Sequence, residues 1–272
     1  MGVPARTLTP DRSARDFFGA QMRALRGEMS LEALSGKVNI STSRLSLIET
    51  AEHTPPPELP ALLDELFGTG AFFQKLYELV RREDHADRHR RWTELEQHAV
   101  VLEEYAENEV PRLLQTEGYA RALLGAEPHD LTPEELEDRV TTRMARQGVL
   151  GRTPTPRFSA ILHEPVLRRP IGGTEVMRGQ LVSLLAMVDT RYSTLRVLPR
   201  GHGEHAPLAG SVTLLTRADG PLAVWEESSD AGTLLETMES TRPRRHAYDR
   251  LRSHALSPRD SARLIRSVME AW

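Results

Sequence analysis

Gln115, Glu164, Arg168, Arg169 and Glu226 are polar residues set against apolar runs, and their types suggest a binding site. Charged groups at strand ends can converge on a pocket, where Arg168 or Arg169 would hold a carboxylate or phosphate and Glu164 or Glu226 an amine. The structural alternative is internal pairing, such as Glu164 with Arg168 across a turn. Two histidine patterns raise metal chemistry. His85 and His89 stand at i, i+4, but the Glu of a zinc-protease helix is absent and Arg residues crowd the segment, so an exposed charged helix is expected. His202-Gly203-Glu204-His205 lies in a Gly-rich turn before Pro207 and reads as a surface loop that could close over a ligand or a metal. There is no Walker loop, no G-x-S-x-G elbow and no dinucleotide fingerprint. No catalytic residue, metal or cofactor is therefore expected.

A second set of residues points to nucleic acid. Over Phe18 to Glu52, apolar spacing and Ser starts write out short helices joined by tight turns. Ser30 can cap a helix through Leu31, Leu34 and Val38, with Met29 and Leu34 as a hydrophobic staple, and Ser41 can cap the next, with Ile40 and Leu45 in the same relation. Only Asn39-Ile40 separates the two. Phe18, Met22 and Leu25 give a preceding helix, and Leu59, Leu62, Leu63, Leu66 and Phe67 a following one after Pro55-Pro56-Pro57. This reads as a helix-turn-helix bundle. Helix Thr42 to Thr50 would enter the major groove of double-stranded DNA, with Thr42, Ser43, Arg44 and Ser46 facing bases or phosphates and Arg23 or Arg26 on the backbone. Of the recognition-helix residues, only Arg44 has a fork suited to guanine.

The elements that must hold these residues divide the chain. With 272 residues, 39% hydrophobic and 27% charged, one large or two modest cores can be buried, and no apolar run approaches a membrane span. No Cys is present, which excludes disulfide and thiolate chemistry. The N-terminal segment has Arg but no apolar h-region, so no secretory signal is expected and the cytoplasm is the default. A formal net charge of -4 excludes a polybasic coat. The expected organisation is an N-terminal arm over 1–16, the helix-turn-helix domain over 17–70, a helical connector over 71–92 and an α+β domain over 93–272.

Ala71 to Arg82 and Trp92 to Val110 read as helical, the latter through Leu95, Ala99, Leu102 and Tyr105 until Pro111. Thr116 to Leu124 is a short helix, and the Thr132-Pro133-Glu134-Glu135 capping box opens another to Gln147. Arg157 to Leu162, Thr194 to Leu198, Ser211 to Leu215 and Leu222 to Glu226 read as strands. Thr174 to Asp189 and the segment after Ser257-Pro258 read as helices.

Phe18-Gly19-Ala20-Gln21-Met22-Arg23, Val110-Pro111-Arg112-Leu113-Leu114-Gln115-Thr116 with Tyr119-Ala120, Leu162 to Gly172, Met177 to Leu181, Val197-Leu198-Pro199 and Ala255 to Pro258 with Ser261 and Ile265 occur in this order. In these words, spread from about residue 17 to 268, the chain resembles the actinobacterial XRE-family regulators, which pair a Cro and lambda-repressor type helix-turn-helix with a large C-terminal domain of unassigned function. The resemblance implies a transcriptional regulator, similar to antitoxin-like proteins encoded beside a small partner protein. It also implies a sensor or partner-binding C-terminal domain, a possible small-molecule effector and, since paired half-sites need two equivalent helices, a homodimer.

Two departures from that pattern bear on DNA affinity. Leu31 stands where a Gln commonly follows the Ser cap, and Glu49-Thr50-Ala51-Glu52 replaces a basic, Gly-containing segment. From Phe18 to Phe67 the chain has Arg23, Arg26, Lys37 and Arg44 against seven carboxylates, Glu28, Glu32, Glu49, Glu52, Glu58, Asp64 and Glu65, a net of -3. Phosphate affinity requires cations at the backbone, so weak binding is expected unless these share a face or Arg6, Arg12 and Arg15 help. The alternative is a vestigial helix-turn-helix whose C-terminal domain has become a small-molecule binder or an enzyme.

Overall fold

Ser13, Ser30 and Ser41 each open a helix in the same way, the hydroxyl accepting a backbone N–H three residues on, at 3.2 Å from Asp16, 3.2 Å from Ala33 and 3.4 Å from Arg44. The helices are α1 (Ala14–Arg26), α2 (Leu31–Val38) and α3 (Thr42–Glu49). Asn39, left-handed at φ 53°, turns the chain between α2 and α3, a conformation Asn tolerates because its side chain bonds locally. α4 (Leu59–Phe67) follows, then α5 (Phe72–Gln97). The computed structural model describes residues 8–11, 13–126, 131–202, 210–218, 220, 222–227 and 232–271. The chain divides into two units, Met1–His89 and Arg90–Trp272, and the division falls within α5.

In the first unit Phe18, Met22, Leu34, Leu45, Ile48, Leu59, Leu63 and Phe73 form one core. α1 meets the end of α3 so closely that a Cβ on Gly19 would sit 2.7 Å from the carbonyl oxygen of Ile48. The same junction is held by charge. Glu49, only 4% exposed, receives Arg26 in a two-pronged bond of 2.5 and 3.0 Å, while Arg23 donates to the Glu49 carbonyl at 3.2 Å. Asp64 is likewise buried and caps α5, accepting from the amides of Phe73 (2.9 Å) and Gln74 (3.1 Å) and from the Thr69 hydroxyl (2.6 Å). Burial alone would raise its pKa, but the hydrogen bonds from Thr69, Phe73 and Gln74 outweigh that and hold it below the usual carboxylate value.

The second unit is built on a mixed sheet of six strands: β1 (Ala99–Ala106), β2 (Arg157–His163), β3 (Ser193–Leu198), β4 (Ser211–Arg217), β5 (Ala223–Glu227) and β6 (Gly232–Leu235), in the order β3-β2-β1-β4-β5-β6. β1, β2 and β3 are parallel, and β4, β5 and β6 continue antiparallel. Leu102, Ala160, Leu162, Leu195, Val197, Leu215 and Trp225 belong to one core with Tyr119 of α6 (Glu117–Gly125), Leu181 and Leu184 of α9 (Thr174–Met187) and Ile265 of α11 (Pro258–Glu270). On the other face Tyr105, Ile161, Val212, Leu214 and Val224 pack with Tyr248 and Leu251 of α10 (Met238–His254). α7 (Pro133–Arg146) opens on the expected capping box, and α8 (Glu164–Arg168) follows β2 directly.

The helical reading of Trp92 to Val110 is corrected here. The helix ends at Gln97, and Ala99–Ala106 is the strand at the centre of the sheet. Leu102, Tyr105 and Ala106 are buried because β1 is covered on both faces, which erases the alternation by which a half-exposed strand is recognised. α10 and β6 are further elements that the sequence reading did not include.

Gly19→Ala is expected to destabilise the protein by about 1–3 kcal/mol through forced separation of α1 from α3. Glu49→Ala, which strands Arg26 at a mostly buried junction, is expected to cost about 3 kcal/mol. Urea unfolding monitored by helical circular dichroism checks both. The Asp64 contribution, present at neutral pH, is lost as pH falls through its depressed folded pKa.

Candidate nucleic-acid interface and sheet site

The helical period of α3 sorts its residues. Leu45 and Ile48 enter the core, Ser43, Arg44 and Ser46 are exposed, and Thr42 is half-buried. Among the described residues the Arg44 guanidinium has no ion-pair partner, so its fork is available to a ligand. The two α1 cations differ from it. Arg26 is 17% exposed and committed to Glu49, whereas Arg23, at 40%, keeps more of its guanidinium in solvent while lying 3.6 Å from the same carboxylate. Arg26 thus serves first to fix α3 on α1.

The charge balance expected from the sequence changes accordingly. Glu49 and Asp64 are internal carboxylates matched by a guanidinium or by helix amides, so neither lies bare on the surface. Glu52 is exposed and stays a repulsive charge beside the end of α3. Arg15 is also committed, 3.5 Å from Asp84 and 3.3 Å from Asp87, while Arg6 and Arg12 lie outside the described residues.

In the second unit the residues singled out as a pocket have separate partners. The Gln115 amide donates to the Val110 carbonyl at 2.8 Å and accepts from Arg143 at 3.0 Å. Glu164 receives Arg168 at 2.8 Å and the Arg200 amide at 3.0 Å, which together hold its pKa below the ordinary value despite the opposing effect of burial. Glu226 is bound two-pronged by Arg244 at 2.8 and 2.9 Å, and Arg169 is exposed after α8. The expectation that Gln115, Glu164 and Arg168 share one concavity gives way to internal satisfaction. Gln115 belongs to a clamp on the turn before α6: Gln180 accepts from the Thr116 amide and donates to the Leu114 carbonyl, Gln147 donates to the carbonyls of Arg112 and Gln115, and the Tyr119 hydroxyl accepts the Val110 amide. Buried backbone groups in an irregular turn need such partners, which accounts for polar residues inside an apolar word.

His85 and His89 lie on the charged stretch of α5, and among the described residues no group of three or more His, Asp or Glu is arranged to hold a metal ion. His202 ends a short turn of helix, and Gly203, Glu204 and His205 lie outside the described residues.

One charged group of the sheet stands apart. Glu103 and Glu104 are neighbours on β1 and so point to opposite faces. Glu103 meets Arg245 of α10 and lies 3.7 Å from Arg252. The carboxyl of Glu104, a half-buried residue, has no hydrogen bond or ion pair among the described residues, and it feels the Glu96–Arg146 pair (2.6 and 2.9 Å) and the Arg112–Glu227 pair. Desolvation, reinforced by the charges of Glu227 and Glu96 and opposed by Arg112 and Arg146, pushes its pKa to about 8. The shift favours the protonated, hydrogen-bond-donating form of this half-buried group near neutral pH. Sequence reasoning missed it; two adjacent Glu in an otherwise apolar, β-branched run were the available signal.

Because this pKa lies above the unfolded value, the native state holds the proton longer, and stability falls as pH rises from about 4.5 to about 8. Glu104→Gln removes that dependence. Its stability relative to the parent is expected to improve steadily from pH 5 to pH 9, as read by thermal melts in matched buffers; a constant difference would place the proton elsewhere.

The model of a family described as a domain of unknown function, DUF5753, matches residues 89–267. No curated protein matches the chain, and no solved structure does. The match covers the strands β1 to β6 and helices α6 to α10 and ends within α11, well over half of the chain, and on that ground the protein belongs to the DUF5753 family.

Proposed function

We propose that the protein is a DNA-binding transcriptional regulator of the XRE type, with a helix-turn-helix formed by α2 and α3 and a sensor or partner-binding C-terminal domain. The reading rests on one observation: α3, held after the three-residue connection Asn39-Ile40-Ser41, offers Ser43, Arg44 and Ser46 to solvent, with Thr42 at the edge, while its apolar side is locked in the core. A helix of that kind fits the major groove, Arg44 reads a guanine, and Arg23 meets a phosphate. A homodimer would present two such helices to half-sites about one helical turn apart. A regulator acting on DNA would work in the cytoplasm. Among the described residues no helix is long and apolar enough to cross a membrane.

The surface acidity of residues 18–67 supports a second reading. With Glu49 and Asp64 internal, the exposed carboxylates Glu28, Glu32, Glu52, Glu58 and Glu65 still outnumber Arg23, Lys37 and Arg44. On that reading the helix-turn-helix is an inherited scaffold and the C-terminal domain binds a small molecule or acts as an enzyme.

Fluorescence anisotropy with labelled DNA from the gene's own upstream region, at fixed salt, separates the two. Arg44→Ala is expected to cost about 1–3 kcal/mol of operator affinity, and Arg23→Ala to weaken all DNA alike. Glu52→Arg is expected to strengthen non-specific binding and steepen its salt dependence, because a new phosphate contact releases counterions. Glu49 is excluded from that reversal, since it holds α1 to α3. No binding by the parent at low salt would favour the scaffold reading.

A further inference from the structure

Ser159 of β2 and Thr194 of β3 are register partners, and both line two adjoining cavities of about 190 and 260 Å³ on the α10 face of the sheet. Arg196 and Arg252 complete the smaller with Tyr248, while Arg157, Arg191 and Tyr192 border the larger. Four arginines and several hydroxyl-bearing residues therefore border one groove, and no carboxylate is part of its described lining. We propose that this groove binds a small phosphorylated metabolite, its phosphate seated between Arg196 and Arg252 and its body lying along Tyr192.

The alternation of the strands produces the arrangement. Ala160 and Leu195 turn into the opposite core, which leaves Ser159, Ile161, Thr194 and Arg196 on the groove side. Tyr248 is fully buried, its hydroxyl 3.2 Å from that of Ser159, and burial, the largest influence, raises its pKa, so the phenol remains a neutral donor. Arg196 spends one N–H on the Leu256 carbonyl at 3.3 Å. Arg252 is shared with Asp249 at 3.2 Å and Glu103 at 3.7 Å, but Glu103 is already held by Arg245, so Arg252 can turn to a ligand without stranding that carboxylate. Arg157 has no ion-pair partner among the described residues, and Arg191 lies over the Tyr192 ring at 5.1 Å. Guanidinium forks with neutral hydroxyl donors are the chemistry of phosphate recognition. The larger cavity, with Val101 and the ring of Tyr192, gives the uncharged body an apolar wall, while the Phe158 ring turns into the opposite core.

This names the ligand class of the sensor role and rests on that role only for its regulatory meaning; the binding itself is independent of DNA. Isothermal titration of the full chain without DNA, using inorganic phosphate, AMP, adenosine and succinate, tests it. Phosphate and AMP are expected to bind, AMP more tightly, and adenosine and succinate to fail. Arg196→Gln with Arg252→Gln is expected to weaken AMP by about ten- to hundredfold. Thr194→Asp, which sets a negative charge on the shared floor, is expected to abolish binding, and Arg263→Gln on α11 to leave it unchanged; a melting curve for each variant confirms folding. The proposal is overturned by absence of phosphate and AMP binding up to about 10 mM, by binding that the folded Thr194→Asp variant retains, or by preference for succinate. Failure here leaves the DNA titration of the parent untouched, and failure of that titration leaves this isotherm intact.

Discussion

A carboxylate removed from water must be met by a guanidinium, by amides or by a proton, because an unmatched buried charge costs more than a fold of this size can spare. That constraint organises both units. Glu49 is met by Arg26, Asp64 by the first amides of α5, Glu96 by Arg146, Glu226 by Arg244 and Glu103 by Arg245. Each pairing ties two elements, consecutive helices for Asp64 and elements more than a hundred residues apart for Glu103. Glu104 follows the third route and keeps its proton. The pairs are better regarded as fixing which helix lies where than as net sources of stability, since desolvation consumes much of their Coulombic gain.

The same accounting alters what net charge means for the first unit. Charges counted along the chain include groups that the fold has already neutralised, so affinity for an anionic partner follows from the exposed remainder. Arg26 and Glu49 cancel each other in the interior of a helix junction, and what a phosphate backbone would meet is Arg23, Lys37 and Arg44 against Glu52 and its exposed neighbours.

Local chemistry was the legible part of this sequence. The caps at Ser30, Ser41, Thr132 and Ser257 depend on one side chain and the next turn of backbone, and each occurs where the residue types require it. The outward positions of Ser43, Arg44 and Ser46 follow from helical period alone. β1 was hidden because burial on both faces makes Leu102, Tyr105 and Ala106 imitate a helical stripe. α10 was hidden because Pro243 lies inside it and its apolar face is little more than Tyr248 and Leu251 among Arg residues. With β1 misread, the opposite orientations of Glu103 and Glu104 disappeared as well, and with them the acid on the sheet. The basic groove needed the register of β2 and β3, which no local pattern carries.

The placement of β1 between a parallel and an antiparallel neighbour also sets a timetable for synthesis. β2 begins some fifty residues after β1 ends, but β4 begins only at Ser211, about a hundred residues later. At ribosomal speeds that interval is on the order of ten seconds; both flanks of the central strand are unpaired for its first half, and one flank for the second. A nascent chain in that condition is a natural client for a holdase, and slowing elongation before Ser211 would lengthen its exposure.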